Sequence, residues 1–544
     1  MELSKQPLIK TDEPDLFNKA QGRNSLNLGG CPSSASKANI NQVISSAANI
    51  NLSTFDNDYC ERSYNDNERD DGNVDSGAGA SAATADLPET FDKNLTLANV
   101  VSSSSSLPLP AAATIKQSSN KNTNIISRFL REQIELLEND PKAKASILQR
   151  RRTDSNDVWW AADDTYNLTA FDQHDGYWPI GHPLPLPDWS PYEKPALSFE
   201  NIWQYEDFNA FVELKLRRML EKTHYNTLNL FIDFYKAFKQ TRRSDLKSFF
   251  QFYTIPINRR HHMCVSLAME IFTQIVEIFP EFSKYFYLVS CEEQVDDLQD
   301  YVEHCEQHGI NSHDANVEKE HSMVVMKISI AGREGYMVLD PGYHIARAVT
   351  VMKDQSYPHT GWFTQSEEKH CKREYCYQYS EYSDNYIEWK ERETRSERQI
   401  YKSSLIYVEH PYRTAIDVTV RRNLVYDFRS LLARDAKGRV TAGLYFPVMR
   451  NVNASQFTIF YDGPNGQTVK HKLFFNVFKN IKIPDNVMEH IEQLAPQLEF
   501  STEELVDLLK SIAGVVLDQD FITQVLNIND NINEMSADNQ VITN

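Results

Sequence analysis

Three residues of this chain have the types and order needed to activate a nucleophile: Cys264, His321 and Asp340. Cys264 lies in "NRRHHMCVSLAMEIF" (258–272), where two arginines and two histidines run into an apolar-periodic segment. Cys264, Leu267, Ala268, Ile271, Phe272, Ile275 and Phe279 recur at helical spacing. That spacing predicts an amphipathic helix with the cysteine at its N-terminal end. A helix N-terminus carries partial positive charge and free N–H groups, and both favour the thiolate, the nucleophilic form of cysteine. The same position on an apolar stripe also suits a buried core cysteine, since free cysteine is among the most buried residue types.

His321 opens the apolar run "HSMVVMKISI", and Asp340 closes "GYMVLD". The two runs flank "AGREG", which predicts an antiparallel hairpin turning near Ala331 and Gly332. His321 then faces Asp340 or a residue within two of it. A carboxylate there holds the imidazole in one tautomer and stabilises the imidazolium, and the imidazole can take the thiol proton of Cys264.

The elements that must position these residues follow a simple order. Helical patterns occur in "YEDFNAFVELKLRRMLEKT" and "YNTLNLFIDFYKAFKQT", followed by the cysteine helix. Strand patterns follow: "MVVMKISI", "GYMVLD", "YKSSLIYVEH", "TAIDVTV", "RVTAGLYFPVM", "QFTIFYD" and "KHKLFFNVF". "DGPNG" at 462–466 reads as a hairpin turn. Two helical segments close the folded part, the second with a capping box, Ser501 and Glu504. The expected class is α+β with one catalytic-type core.

The expected organisation has five parts. Residues 1–122, rich in Ser, Asn, Asp and Ala, read as a disordered tail that is a candidate docking segment for a protein partner. Residues 123–200 hold an amphipathic helix (Ile126, Phe129, Leu130, Ile134, Leu137) and an extended Pro- and aromatic-rich strap. Residues 201–365 carry the helical region and the Cys-His-Asp core. Residues 366–528 form a β-rich domain with C-terminal helices, and 529–544 a disordered tail. "RRRTDS" offers Thr153 and Ser155 to a basophilic kinase, though a solvated loop fits it as well.

The 544 residues carry a net charge of −20, which argues against nucleic acid or an anionic membrane surface as partner, since either calls for clustered Lys and Arg. Seven cysteines follow no disulfide framework and no zinc-knuckle spacing, so a reduced, metal-free, intracellular protein is expected: cytoplasmic, with the nucleus left open. No signal peptide and no membrane-spanning run is read. "HCEQHGINSHD" gathers His304, Cys305, His308, His313 and Asp314 without regular ligand spacing. The tyrosine-rich "REYCYQYSEYSDNYIEW" reads as a half-buried wall of strand.

The layout resembles that of arylamine N-acetyltransferases, within the broader papain-like and transglutaminase-like group. The family's Arg-Gly-Gly-x-Cys matches "RHHMC" at Arg260 and Cys264, its strand-entry histidine matches His321, and its Asp-x-Gly-aromatic matches Asp340, Gly342 and Tyr343. The turn Gly332–Arg333 is similar in character. The resemblance spans roughly 204–480 and is tightest over 258–345. It implies a helical bundle, a β-barrel-like domain and an α/β lid. It also implies a Cys264–His321–Asp340 triad and acetyl-CoA as co-substrate. Two departures stand out. His261 and His262 replace the family's glycines, and the segment after Asp340 reads "GYHIARAVTVMKD" where the family has small residues around the cofactor's phosphates.

Three readings follow. The first is an acyltransferase passing an acetyl group from acetyl-CoA to a small-molecule amine through a thioester on Cys264. The second is a thiol hydrolase or transglutaminase-like enzyme acting on a protein amide. The third is a catalytically inactive interaction scaffold.

Overall fold

The computed structural model describes residues 166, 171, 176–257, 259, 261–309, 318–368, 371–395, 398–480 and 482–542. The tail over 1–122, the helix expected over 126–137, Thr153, Ser155, Arg260, His313 and Asp314 lie outside them.

The strap over 176–195 buries Leu184 and Trp189 and bridges Trp189 to Tyr412. β1 (Leu197–Phe199) follows, then α1 (Ile202–Lys222), whose N-cap Asn201 accepts a hydrogen bond from the Gln204 amide at 3.1 Å. β2 (Tyr225–Asn226) leads into α2 (Leu228–Thr241), α3 (Leu246–Phe252) and α4 (Cys264–Val276).

The main sheet takes β3 (Phe286–Glu292), β4 (His321–Ile330), β5 (Arg333–Leu339) and β6 (Val349–Met352), with α5 (Leu298–His308) between β3 and β4. It continues through β7 (Phe363–Glu368), β8 (Cys371–Tyr379), β9 (Tyr386–Arg395) and β10 (Arg398–Tyr407). The order is β6-β5-β4-β3-β10-β9-β8-β7, antiparallel throughout, with β1 added in parallel to β4 beyond the end of β3. The sheet curls into a half-barrel that brings β6 back against β8. Side chains alternate across it, as the two-residue strand period requires. Tyr287, Val289, Met323, Val325, Val338 and Trp389 fill the concave side, while Phe286, Leu288, Val324 and Met326 pack outward against Leu267 and Ile271 of α4.

A second antiparallel sheet has the order β14-β13-β12-β11-β2. It is built from β11 (Phe428–Arg434), β12 (Val440–Pro447), β13 (Gln456–Asp462), β14 (Thr468–Phe474) and β2 from the helical region. Helices α6 (Arg421–Val425), α7 (Asp485–Leu494), α8 (Thr502–Val516) and α9 (Gln519–Ile542) complete the described chain. The Ser501–Glu504 capping box forms at the start of α8. The fold is therefore mixed α+β.

Three expectations give way. "TAIDVTV" is no strand: Ile416–Val420 is a π-helical turn running into α6, with the Val420 amide on the Ala415 carbonyl. Its β-branched residues fill the core (Val418 and Val420 are buried), and the Thr419 hydroxyl donates to the Lys319 carbonyl, so tertiary packing overrides strand propensity. Instead of a tail from 529, α9 continues past it, with Ile532 fully buried. The main sheet crosses the expected 365/366 boundary, because β10 pairs with β3. No described helix is long and apolar enough to cross a membrane.

Candidate active site

Cys264 is the first residue of α4, and its side chain is buried. The N-cap Met263 supplies no side-chain hydrogen bond, so the first-turn N–H groups of α4 have no side-chain cap. His321 is the first residue of β4 and faces the concave side with Met323 and Val325. The hairpin turn lies at Ala331 (φ 50°) and Gly332 (φ 82°), the left-handed pair of a two-residue hairpin. Its register pairs Val324 with Leu339, which carries Asp340 to within two positions of His321's partner.

His321 Nε2 donates to Asp340 Oδ1 at 3.0 Å, with both side chains buried. Cys264 lies beside the same ring, both side chains lying against Gly342, and Nδ1 is the ring nitrogen that Asp340 does not take. Burial works against a charged imidazole. The Asp340 carboxylate and then the Cys264 contact outweigh it and hold His321 well above the ordinary histidine range. The three sequence-derived residues are thus brought together, with His321 between Cys264 and Asp340.

The surroundings fix this geometry. Asp340 Oδ1 also accepts the Tyr343 amide at 3.1 Å, and Oδ2 accepts the Tyr377 hydroxyl at 3.4 Å. The Tyr343 ring packs edge-on against His321 at 4.7 Å and against Trp389 at 4.3 Å. Gly342 fits because it has no side chain: an added Cβ would stand 2.8 Å from His321 Cε1 and 3.0 Å from Cys264 Cβ.

The two histidines in place of the family glycines are absorbed into the fold. His261 is buried, with Nε2 3.2 Å from Asp233 Oδ2. The His262 carbonyl accepts the Asn226 amide at 2.7 Å, which ties the cysteine loop to β2. Burial, then Arg434 and the neighbouring imidazoles, push His262 down to about 3. Neighbouring Arg259 anchors the loop on Glu277 (3.2 Å) and Glu270 (3.5 Å).

Sequence reasoning missed several residues around the triad. Glu293 accepts a hydrogen bond from the Tyr343 hydroxyl. Tyr225, from β2, feels the charge of both Cys264 and Glu293, and burial first, then those charges, raise its phenol well above the usual value. Glu292, Glu318 and Glu320 cluster behind β3 and β4, joined by Lys319 (2.8 Å to Glu292) and Arg422 (on Glu318). None of these has a local signal, although two acids at the end of an apolar strand, as in "YLVSCEE", are unusual enough to flag.

A cavity of about 760 Å³ lies elsewhere, lined among others by Trp189, Cys305, Tyr386, Tyr407 and Glu409, and no triad residue borders it. Cys264, Cys291, Cys305, Cys371 and Cys376 are all free thiols. Among the described residues no three His, Cys, Asp or Glu side chains form a group able to hold a metal ion.

No family model matches this chain, and no curated protein does. It is similar to the crystal structure of an arylamine N-acetyltransferase from Nocardia farcinica, at 13% sequence identity, over 57% of this chain and 88% of that one, with a TM-score of 0.29.

Proposed function

We propose that this chain is a cysteine-dependent acyltransferase of arylamine N-acetyltransferase type. The supporting observation is the relay itself: a cysteine at the first position of a helix, against a buried imidazole whose other nitrogen is held by Asp340 at 3.0 Å. His321 takes the thiol proton, and the Cys264 thiolate attacks the acyl carbonyl of a donor, with acetyl-CoA the donor expected. The first-turn N–H groups of α4 stabilise the oxyanion. The C–S bond to Cys264 forms, the donor's leaving group departs with the proton from His321, and an amine then attacks the thioester. His321 accepts the amine's proton, and Cys264 is regenerated.

A second reading keeps the triad and changes the donor to a protein amide. Its motivation is the pair His261 and His262, which fill the cysteine loop where the acetyltransferase motif has glycines.

The test is acyl trapping. The full chain is mixed with acetyl-CoA, or with an activated acetyl ester, and quenched, and the Cys264 peptide is read by mass spectrometry. An acetyl group on Cys264 that an arylamine removes supports the first reading. Labelling by an activated amide of a peptide, with none from acetyl-CoA, supports the second. If neither donor nor iodoacetamide modifies Cys264 in the folded chain, the thiol is a core residue and both readings fail.

A further inference from the structure

Five arginines are buried: Arg373, Arg421, Arg422, Arg429 and Arg434. Three are in ion pairs with an acid. Arg373 pairs with Glu393 at 2.7 Å, Arg421 with Asp417 at 3.3 Å and Arg422 with Glu318. Arg429 and Arg434 donate only to neutral acceptors: Arg429 to the Asn423 and Leu424 carbonyls, with the charge of Asp427 nearby. Arg434 is the one of the two that bonds the segment beside Cys264 and His321. Its guanidinium donates to the Pro341 carbonyl (3.4 Å), to His344 Nδ1 (3.3 Å), and to the carbonyl (3.0 Å) and hydroxyl (2.9 Å) of Thr223. Thr223 caps the C-terminus of α1, so the helix dipole offers partial compensation and no full charge. The Arg434 Nε and the His344 Nε2 are both buried without a hydrogen-bond partner.

The place matters as much as the charge. Arg434 grips Pro341 and His344, the residues on either side of the Gly342–Tyr343 step, and Gly342 lies against Cys264 and His321. His344 holds a left-handed backbone (φ 59°) that is uncommon for a residue with a side chain. His224 and His262 stand close enough for the Arg434 charge to lower their basicity, and the acidic group that acts on Arg434 is the Tyr225 phenol. Burial lowers Arg434 only to about 9, so it is a cation at neutral pH. A buried cation without a counter-charge is costly to keep, and an anionic ligand group is the chemistry that would relieve it.

We infer that Arg434 and His344 form an oxyanion subsite beside Cys264, which takes a carboxylate or phosphate group carried by the substrate close to its reacting carbon. This rests on Cys264 being the nucleophile, and it narrows the substrate to anionic acyl compounds or anionic amines.

Two alkylating agents of nearly equal size test it: iodoacetate, an anion, and iodoacetamide, which is neutral. Rates at Cys264 are read by peptide mass spectrometry in the full folded chain and in the urea-unfolded chain. The iodoacetate-to-iodoacetamide ratio is expected to be on the order of tenfold or more higher in the folded chain, because a fixed charge concentrates an anion at the thiol. His321 also attracts anions, so the variants separate the sources: Arg434→Met should lower the ratio and Arg434→Lys should keep most of it. Inorganic phosphate and acetate should each slow alkylation of the wild type, and whichever protects at lower concentration identifies the preferred group. A folded-state ratio no higher than the unfolded one, or one unchanged in a folded Arg434→Met, overturns the subsite. Should Arg434→Met not fold, protection of the wild type by phosphate or acetate decides it, and no protection overturns it. Silence of Cys264 toward both reagents is a separate result: it removes the nucleophile and, with it, the premise.

Discussion

Gly342 lies so close to His321 that a β-carbon at position 342 would stand 2.8 Å from the imidazole Cε1 and 3.0 Å from Cys264 Cβ. The glycine thus sets how near His321 and Cys264 can come. Gly342→Ala must push the ring or the helix end aside, since both contacts are to groups held by packing. Alkylation of Cys264 should slow by roughly 10²-fold, the usual cost of a misplacement near 1 Å, while far-UV circular dichroism is retained. An alanine variant that alkylates at the wild-type rate would show that Gly342 does not control the pair.

Asp340→Asn probes the other end of the relay. His321 sits above the ordinary histidine range despite burial, because the Asp340 charge favours the imidazolium. Removing that charge makes the imidazolium less stable, so the proton leaves the thiol only at higher pH. The midpoint of the alkylation–pH curve should therefore move upward in Asp340→Asn. Stability follows the same linkage. A histidine whose folded value is raised contributes stability that is complete below the unfolded value, near ~6.5, and is lost as pH rises through the folded value. Thermal melts of the wild type should show that decline and Asp340→Asn should flatten it. Coincident alkylation curves would contradict the assigned role of Asp340.

The grouping of Cys264, His321 and Asp340 could be read from sequence because each sits on a strong local pattern: a helix stripe behind Cys264, and two apolar runs around a two-residue turn that bring His321 and Asp340 together. One hairpin register, fixed by Ala331 and Gly332, carried that inference. Tyr225, Glu293 and Arg434 could not be found this way. They reach the site from β2, from the end of β3 and from the end of β11, and each looks like an ordinary residue in its own segment. "TAIDVTV" failed for a related reason: burial on all sides and a bond to Lys319 decide its conformation, and neither is local. The charge of Arg434 is informative only once its neighbours are known to be neutral.

Glu320 offers a test of the acidic cluster behind β4. Its carboxyl is pushed well above the usual value by burial, and then by Glu292, Glu318 and Glu293. A raised carboxyl binds its proton more tightly in the folded chain than in the unfolded one, so stability falls as pH rises past the unfolded value of about 4.3. Glu320→Gln removes that titration while keeping an acceptor for the Glu293 amide. The variant should gain on the wild type as pH climbs from 5 to 8 in thermal melts. A constant difference between the two across that range would show that Glu320 does not carry the effect.

Arg422 links the acidic cluster to α9, and through it the last helix acquires a structural role. Its Nε bonds Glu318, while its two terminal nitrogens donate to Asn529 (2.8 Å) and Asn533 (3.0 Å), one turn apart on α9. Ile532, between them, is fully buried. Arg422→Met removes a buried cation bonded to Glu318, Asn529 and Asn533, and breaking a buried ion pair costs about 3–5 kcal/mol. A chain ending at Ile528 removes both asparagines and Ile532, and deleting a buried aliphatic side chain of that kind costs about 2–5 kcal/mol. The two changes act on one set of contacts, so their effects should not add: the truncated Arg422→Met chain should be less destabilised than the sum of the two alone. Urea titrations of the four chains measure this directly. Full additivity would mean that α9 and Arg422 stabilise the fold independently, and that the Asn529 and Asn533 bonds carry little of the coupling.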